Sequence, residues 1–269
     1  MAKKIDRIGK TNISNEGCFM KIVEYNRKDD IIVEFQDKYK YRAHTSYQHF
    51  KKGNCKNPFH PSVYKHGYLG IDKNGNVSKA QEIKNGKWRD TWEYNKWKGM
   101  LQRCYDNKYK EKHLTYKDVI CCERWLCFSY FLEDLEILKQ EYNWDRDEKL
   151  NLDKDILNKN NKEYNLKNCV LVPSYINLLF IKSDASRGEF PIGVCYDKQH
   201  KKYQANCHIN GKRKNLGYYN TSEQAFYAYK TAKEEEVKRI ANECVSKGYV
   251  DKNSRLYKAM IEYKVEIND

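Results

Sequence analysis

Apolar and polar positions alternate over three early stretches, CFMKIVEYN (18–26), DIIVEFQD (30–37) and YKYRAHTS (39–46), separated by polar turns such as NRKDD. A period of two, enriched in β-branched and aromatic residues, predicts short strands. KKGNCKNPFHPSVY (51–64) then reads as a loop holding two of the four prolines, and Gly67, Gly70 and Gly75 extend a turn-rich character to about Gly86. The expectation over 1–86 is a β-barrel-like module, with Lys51, Lys52, Tyr41, Tyr47 and Phe50 as candidate nucleic-acid contacts.

From Thr91 the period changes. TWEYNKWKGMLQRCYD places Trp92, Trp97, Met100, Leu101 and Cys104 near helical spacing, and CFSYFLEDLEILKQEY does the same with Phe128, Phe131, Leu132, Leu135 and Leu138. Both stripes read as core-facing helices, and YKDVICCERW between them reads as a short strand or a turn. The segment LNLDKDILNKNNKEYNLKNCVLVPSYINLLF (150–180) has the rhythm of a hairpin followed by a helix, which places a second module over 87–182. IKSDASRGEF is a charged linker.

A third module spans 190–269. Asn210-Gly211 between two alternating runs is a strong hairpin signal. Thr221 with Gln224 three positions later forms a capping box ahead of Ala225, Phe226, Tyr229, Ala232, Val237 and Ile240. The prediction is a three-stranded antiparallel sheet packed on one helix. Tyr203, Ala205, Cys207 and Ile209 face the helix, while Lys202, Gln204, Asn206 and His208 face away, joined by Arg213 and Asn215. The fold class is therefore α+β, built from three small modules.

Composition sharpens the choice of partner. The 269 residues carry a formal net charge of +14, with 33% charged residues and 23 tyrosines, and mean hydropathy is -0.98. Cations spread along the chain among aromatic rings point to a polyanion, and to nucleic acid over a membrane surface. A lysine-, asparagine- and tyrosine-rich chain from an AT-rich genome is the bland alternative. No apolar run approaches the roughly 18 to 20 residues that span a bilayer, and MAKKIDRIGK lacks an apolar core, so the expected compartment is cytoplasmic. None of the ten cysteines is spaced C-x-x-C, which leaves them as small core hydrophobes. Phosphate loops, dinucleotide glycine fingerprints and nucleophile elbows are missing from the sequence.

GVCYDKQHKKYQANCHINGKRKNLGYYNTSEQAFYAY (193–229) resembles the ethylene-response-factor type of DNA-binding domain, also found in phage and mobile-element nucleases. The shared features are the glycine-valine start, the hairpin, the leucine-glycine step and the helix of alanines and aromatics. That resemblance implies double-stranded DNA as partner, read by the exposed sheet face through Gln204, Asn206, His208, Arg213 and Asn215. Cys195 and Asp197 stand where the family carries arginines on its first strand.

The segment 150–180 resembles the HNH endonucleases of phages and their self-splicing introns, and WKGMLQRCYD and CCERWLCFSYFLEDL resemble the flanks of one phage branch. On the asparagine-ending form of that pattern, Asp153 falls at the acidic metal ligand, Asn168 at the loop-pinning asparagine and Asn177 at the closing helix ligand, nine positions after Asn168. Lys154 stands where the water-activating histidine belongs. The resemblance implies a magnesium or manganese ion held by Asp153 and Asn177, and catalytic roles for Asp153, Lys154, Asn168 and Asn177. A lysine frees its amine only near a pKa of about 10.4, and Asp153 and Asp155 beside it favour the charged form.

Two functions stay open at this level: a DNA-binding nickase of phage or prophage character in a bacterial host, with Lys154 clamping the scissile phosphate, or a catalytically degenerate relic. The relic would be a regulator or host-defence inhibitor bound to DNA or to a protein. A DKD acidic turn with no ligand is the plain structural reading. Histidines 44, 49, 60, 66 and 113 offer weaker possibilities, and the sequence leaves the oligomeric state undetermined.

Overall fold

The computed structural model describes residues 6–145, 149–181 and 189–269. Most of the linker read at 181–190 lies outside the described residues. The chain is α+β, and its contacts divide it into two compact units, Met1–Asp134 and Leu135–Asp269.

The first unit opens with a four-stranded antiparallel meander, β1 (Thr11–Ile13), β2 (Phe19–Arg27), β3 (Asp30–Phe35) and β4 (Arg42–Thr45), hydrogen-bonded in chain order. Alternation works as the sequence implies: Met20 and Ile22 of β2 with Ile31, Val33 and Phe35 of β3 are buried together. Phe50 of the short helix α1 (Tyr47–Lys51) closes that core with Cys55. The stretch up to Gly86 reads as irregular or turn-rich, with no strand in it. Instead, β5 (Gln81–Lys84) and β6 (Lys87–Asp90) form a separate two-stranded hairpin about Asn85-Gly86, and the border drawn at 86/87 cuts through its turn.

Helix α2 (Trp92–Tyr105) starts at Thr91, whose hydroxyl accepts the Tyr94 N–H at 3.1 Å, and buries Trp97, Met100, Leu101 and Cys104. The Trp97 indole donates to the Trp125 carbonyl at 2.7 Å, and the Trp125 indole donates to Asp134 at 2.7 Å. Buried indole N–H groups need such acceptors. After α3 (Asn107–Lys112) comes the two-residue strand β7 (Ile120–Cys121), and α4 (Phe128–Gln140) carries the chain into the second unit.

The second unit contains β8 (Leu150–Asp153), the two-residue strand β9 (Glu163–Tyr164) and β10 (Val170–Pro173), then the single turn α5 (Ser174–Asn177). β8 and β10 pair antiparallel, with Asp153 opposite Val170 and Leu150 opposite Pro173. A three-stranded antiparallel sheet follows, β11 (Val194–Asp197), β12 (Lys202–Ile209) and β13 (Lys212–Tyr219), and then helices α6 (Ser222–Ser246) and α7 (Arg255–Glu262).

Helix α6 serves two cores. Its first half packs Ala225, Phe226 and Tyr229 on Val194, Ala205 and Cys207 of the sheet. Its second half packs Val237, Ala241 and Cys244 on Val170, Val172 and Ile176 of the ββα segment and on Leu256 and Met260 of α7. Length explains the division. At about 1.5 Å per residue the 25-residue helix outruns an eight-residue strand by about 10 Å, so Val237 and Ile240 pass beyond the sheet they were expected to cover.

Candidate functional site

Alternation on β12 separates the two faces of the C-terminal sheet. Ala205 and Cys207 are buried against α6, while Lys202 and His208 are exposed and Gln204 and Asn206 are half-buried on the other side. Cross-strand register assembles the open face in rows: His208 opposite Arg213, Asn206 opposite Asn215, and Gln204 between Cys195 and Tyr218. A bulge at Ala205/Asn206 leaves Leu216 as the extra residue of β13, and Leu216 turns to the buried core. The helix-facing register survives the slip.

Several of these side chains hold one another. Asn206 Nδ2 donates to Gln204 Oε1 at 3.2 Å, and Gln204 Nε2 donates to the Tyr218 hydroxyl at 3.4 Å. The Cys195 thiol lies 3.5 Å from Gln204 Oε1, so the cysteine at an expected arginine position orients an amide. Asp197, at the other such position, accepts the N–H groups of Gln199 and His200, both at 2.9 Å. The His200 backbone donor holds the Asp197 carboxyl below its ordinary pKa. Neither His208 nor Arg213 makes a side-chain hydrogen bond among the described residues, so both heads are free for an incoming acceptor.

Glu236 supports this face from behind. Its buried carboxylate accepts the Asn210 N–H at 2.8 Å and pairs with Arg239 at 2.7 Å, tying the hairpin turn to α6. Arg239 pulls the Glu236 pKa down. Beside the turn lies a cleft of about 1030 Å³, whose lining includes Ile192, Asn206, His208, Arg213 and Lys233 together with Tyr175 and Leu178. Burial there lowers the Lys233 pKa.

The ββα segment places its four expected residues differently from one another. Asp153 ends β8, and its Oδ1 accepts the N–H groups of Asp155 (2.7 Å) and Ile156 (2.9 Å). Burial raises the Asp153 pKa against those donors, which lower it. Asn168 is bonded within the loop: its Nδ2 donates to Asn161 Oδ1 at 3.1 Å, its Oδ1 accepts from Asn158 at 3.3 Å, and its N–H donates to Asn165 Oδ1 at 2.7 Å. Asn177 is half-buried on α5, at the end of the hairpin where Leu150 meets Pro173. Asp153 lies three residues along β8 from that end, and α5 lies against the same strand.

Lys154 is the correction. A clamp on phosphate needs an exposed ammonium, yet Lys154 is only 4% exposed. Its Nζ contacts both Asp155 oxygens at 2.7 Å and donates to the Asn161 carbonyl at 2.6 Å. Asn161 returns a bond from Nδ2 to the Lys154 carbonyl at 3.0 Å. An ammonium has three donors, and these contacts occupy them inside the loop.

Arg255 was not foreseen as part of this segment. From α7 it donates to the carbonyls of Lys167 (2.5 Å) and Cys169 (2.7 Å), on either side of Asn168, while pairing with Glu141. Nothing in the sequence links positions so far apart.

Asp153 Oδ2 and the Asn177 amide have no hydrogen-bond partner among the described residues. They offer one carboxylate and one amide oxygen, the small protein share that magnesium accepts when it keeps most of its waters. No group of three His, Cys, Asp or Glu side chains converges among the described residues, so a fuller protein cage for a metal is missing there. All ten cysteines are free thiols, most of them buried in the cores. No described helix is long and apolar enough to cross a membrane.

No protein-family model matches the chain, and neither does any curated protein or solved structure.

Proposed function

We propose that this chain binds double-stranded DNA through the open face of its C-terminal sheet. The observation that carries the reading is the row of donors and acceptors on β12 and β13: the His208–Arg213 and Asn206–Asn215 pairs and the Gln204–Tyr218 contact, on a sheet whose other face is buried under α6. Guanidinium, imidazole and amide heads hydrogen-bond base edges and phosphates, and a net charge of +14 favours the approach of a polyanion.

The test is duplex binding followed by anisotropy across a salt series. Wild-type affinity should fall steeply with salt through counterion release. Arg213→Ala with His208→Ala should lower affinity by about tenfold or more at fixed salt, the scale of a lost base contact. Equal affinity of the variant and wild type sinks the reading, and a chain that binds a protein but no duplex replaces it with the regulator alternative.

A second reading, magnesium- or manganese-dependent nicking, rests on one observation: hairpin and helix occur in the ββα order, with Asp153 ending the first strand and Asn177 on the helix. In that reading Asp153 and Asn177 would hold the ion, which would supply an acidified water for attack on phosphate. Lys154, Asn161, Asn168 and Arg255 keep the loop between the two strands in one shape. Relaxation of supercoiled plasmid by wild type but not by Asp153→Ala is the result this reading requires. Plasmid left intact with either metal removes it and leaves DNA binding standing.

A further inference from the structure

The hairpin β5–β6 has no place in the reading above. Asn85 (φ 53) and Gly86 (φ 70) both take the left-handed conformation that a tight hairpin turn demands. Four cross-strand pairs follow, Lys84 with Lys87, Ile83 with Trp88, Glu82 with Arg89 and Gln81 with Asp90. The base is closed by the Thr91 N–H on the Ala80 carbonyl at 2.9 Å and by Gln81 Nε2 on Asp90 at 2.8 Å.

Two features of this ribbon cost stability and gain nothing within the fold. Ile83 is 64% exposed and its partner Trp88 is 68% exposed, although a lone two-stranded ribbon is marginal in water and depends on burying one face. Lys84 and Lys87 stand directly opposite each other at the tip, and like charges in that position repel.

We infer that the β5–β6 ribbon is a second DNA-contacting element, lying along a groove of the duplex with Trp88 and Ile83 toward bases and sugars and with Lys84, Lys87 and Arg89 reaching the flanking phosphates. The inference rests on duplex DNA being the partner. A two-stranded ribbon fits the major groove, where apolar side chains meet thymine methyls on the groove floor, and cations beside them suit the phosphates of its rims. Charge selects this occupant: four cations lie between Lys79 and Asp90 against two carboxylates. One of the two, Asp90, is already engaged by Gln81 and by Lys98 at 3.5 Å. A second copy of the ribbon is disfavoured, because two lysine-tipped edges would meet.

The test uses the full chain and a duplex at several salt concentrations. Trp88→Ala should bind about tenfold more weakly with an unchanged salt slope, as expected for an uncharged contact to base edges. Lys84→Ala with Lys87→Ala should flatten the slope by roughly two, at about 0.9 per lost phosphate contact. Duplex should also shield a fraction of tryptophan emission from acrylamide in wild type, and that fraction should be missing in Trp88→Ala. If duplex leaves quenching unchanged and these variants bind like wild type while Arg213→Ala binds weakly, the ribbon inference falls and the sheet reading survives. If wild type binds no duplex, both fall.

Discussion

Two hairpins in this chain turn on the same dipeptide and end in different circumstances. Asn85-Gly86 and Asn210-Gly211 have nearly the same geometry, with φ of 53 and 70 at the first and 52 and 72 at the second. Turn chemistry therefore acts alike at both. What differs is the face behind the turn. Strand β12 presents Ala205 and Cys207 to Phe226 and Tyr229 of α6, and the Glu236 carboxylate holds the Asn210 N–H. Strands β5 and β6 present Ile83 and Trp88 to solvent. Local geometry decides whether a hairpin can form, and packing decides whether it belongs to the cooperative core or stands apart.

The largest expected effect breaks the packed member. Phe226→Ala should destabilise the second unit by about 3–5 kcal/mol, the usual cost of deleting a buried aromatic ring. Trp88→Ala should change stability by less than about 0.5 kcal/mol, as at other exposed sites. Urea unfolding of both variants checks the contrast, and equal losses would mean that Trp88 has a packing partner.

Next in size is Lys154→Met, which keeps the volume of the side chain and removes its ammonium. Leaving the Asn161 carbonyl and Asp155 without their donor should cost about 1–3 kcal/mol, read as a lower urea midpoint. An unchanged midpoint would overturn the anchoring role of Lys154.

Glycine replacements then compare the turns themselves. Alanine at a left-handed position costs about 1 kcal/mol. Gly211→Ala should lower the midpoint of the cooperative transition. Gly86→Ala should leave that midpoint alone and instead speed amide exchange within 81–90, which hydrogen-exchange mass spectrometry measures.

The smallest effect is a pH dependence. Arg239 holds the Glu236 carboxyl below its ordinary pKa. Its contribution is therefore complete above that ordinary value and is lost as pH falls through the lowered one. Glu236→Gln should abolish that part of the acid dependence, so its stability should fall less between neutral and acid pH than that of wild type. Parallel pH curves would remove Glu236 as the support of the packed turn.

The sequence made the packed hairpin legible because its strands announce two faces, with Ala205, Cys207 and Ile209 alternating against Gln204, Asn206 and His208. QEIK and KWRD carry one strongly apolar residue each, Ile83 and Trp88, too few to set a period, so the same turn signal stands without a strand pattern on either side. The loop of the ββα segment was legible in part. Asn168 bonds to loop neighbours three to ten residues away, Asn165, Asn161 and Asn158, while the burial of Lys154 depends on the Asn161 carbonyl seven residues later. The Arg255 contacts come from 86 and 88 residues away. Contacts across such separations are fixed by tertiary packing and leave no local pattern.

One rigid rod, α6, has its opening turns under the polar sheet and its closing turns under the ββα segment. The sheet and the neighbouring hairpin thus share a single axle. Twisting one must drag the other, so anything the sheet took up would hold a set bearing toward Asp153, and a protease that cuts elsewhere should release both as one fragment.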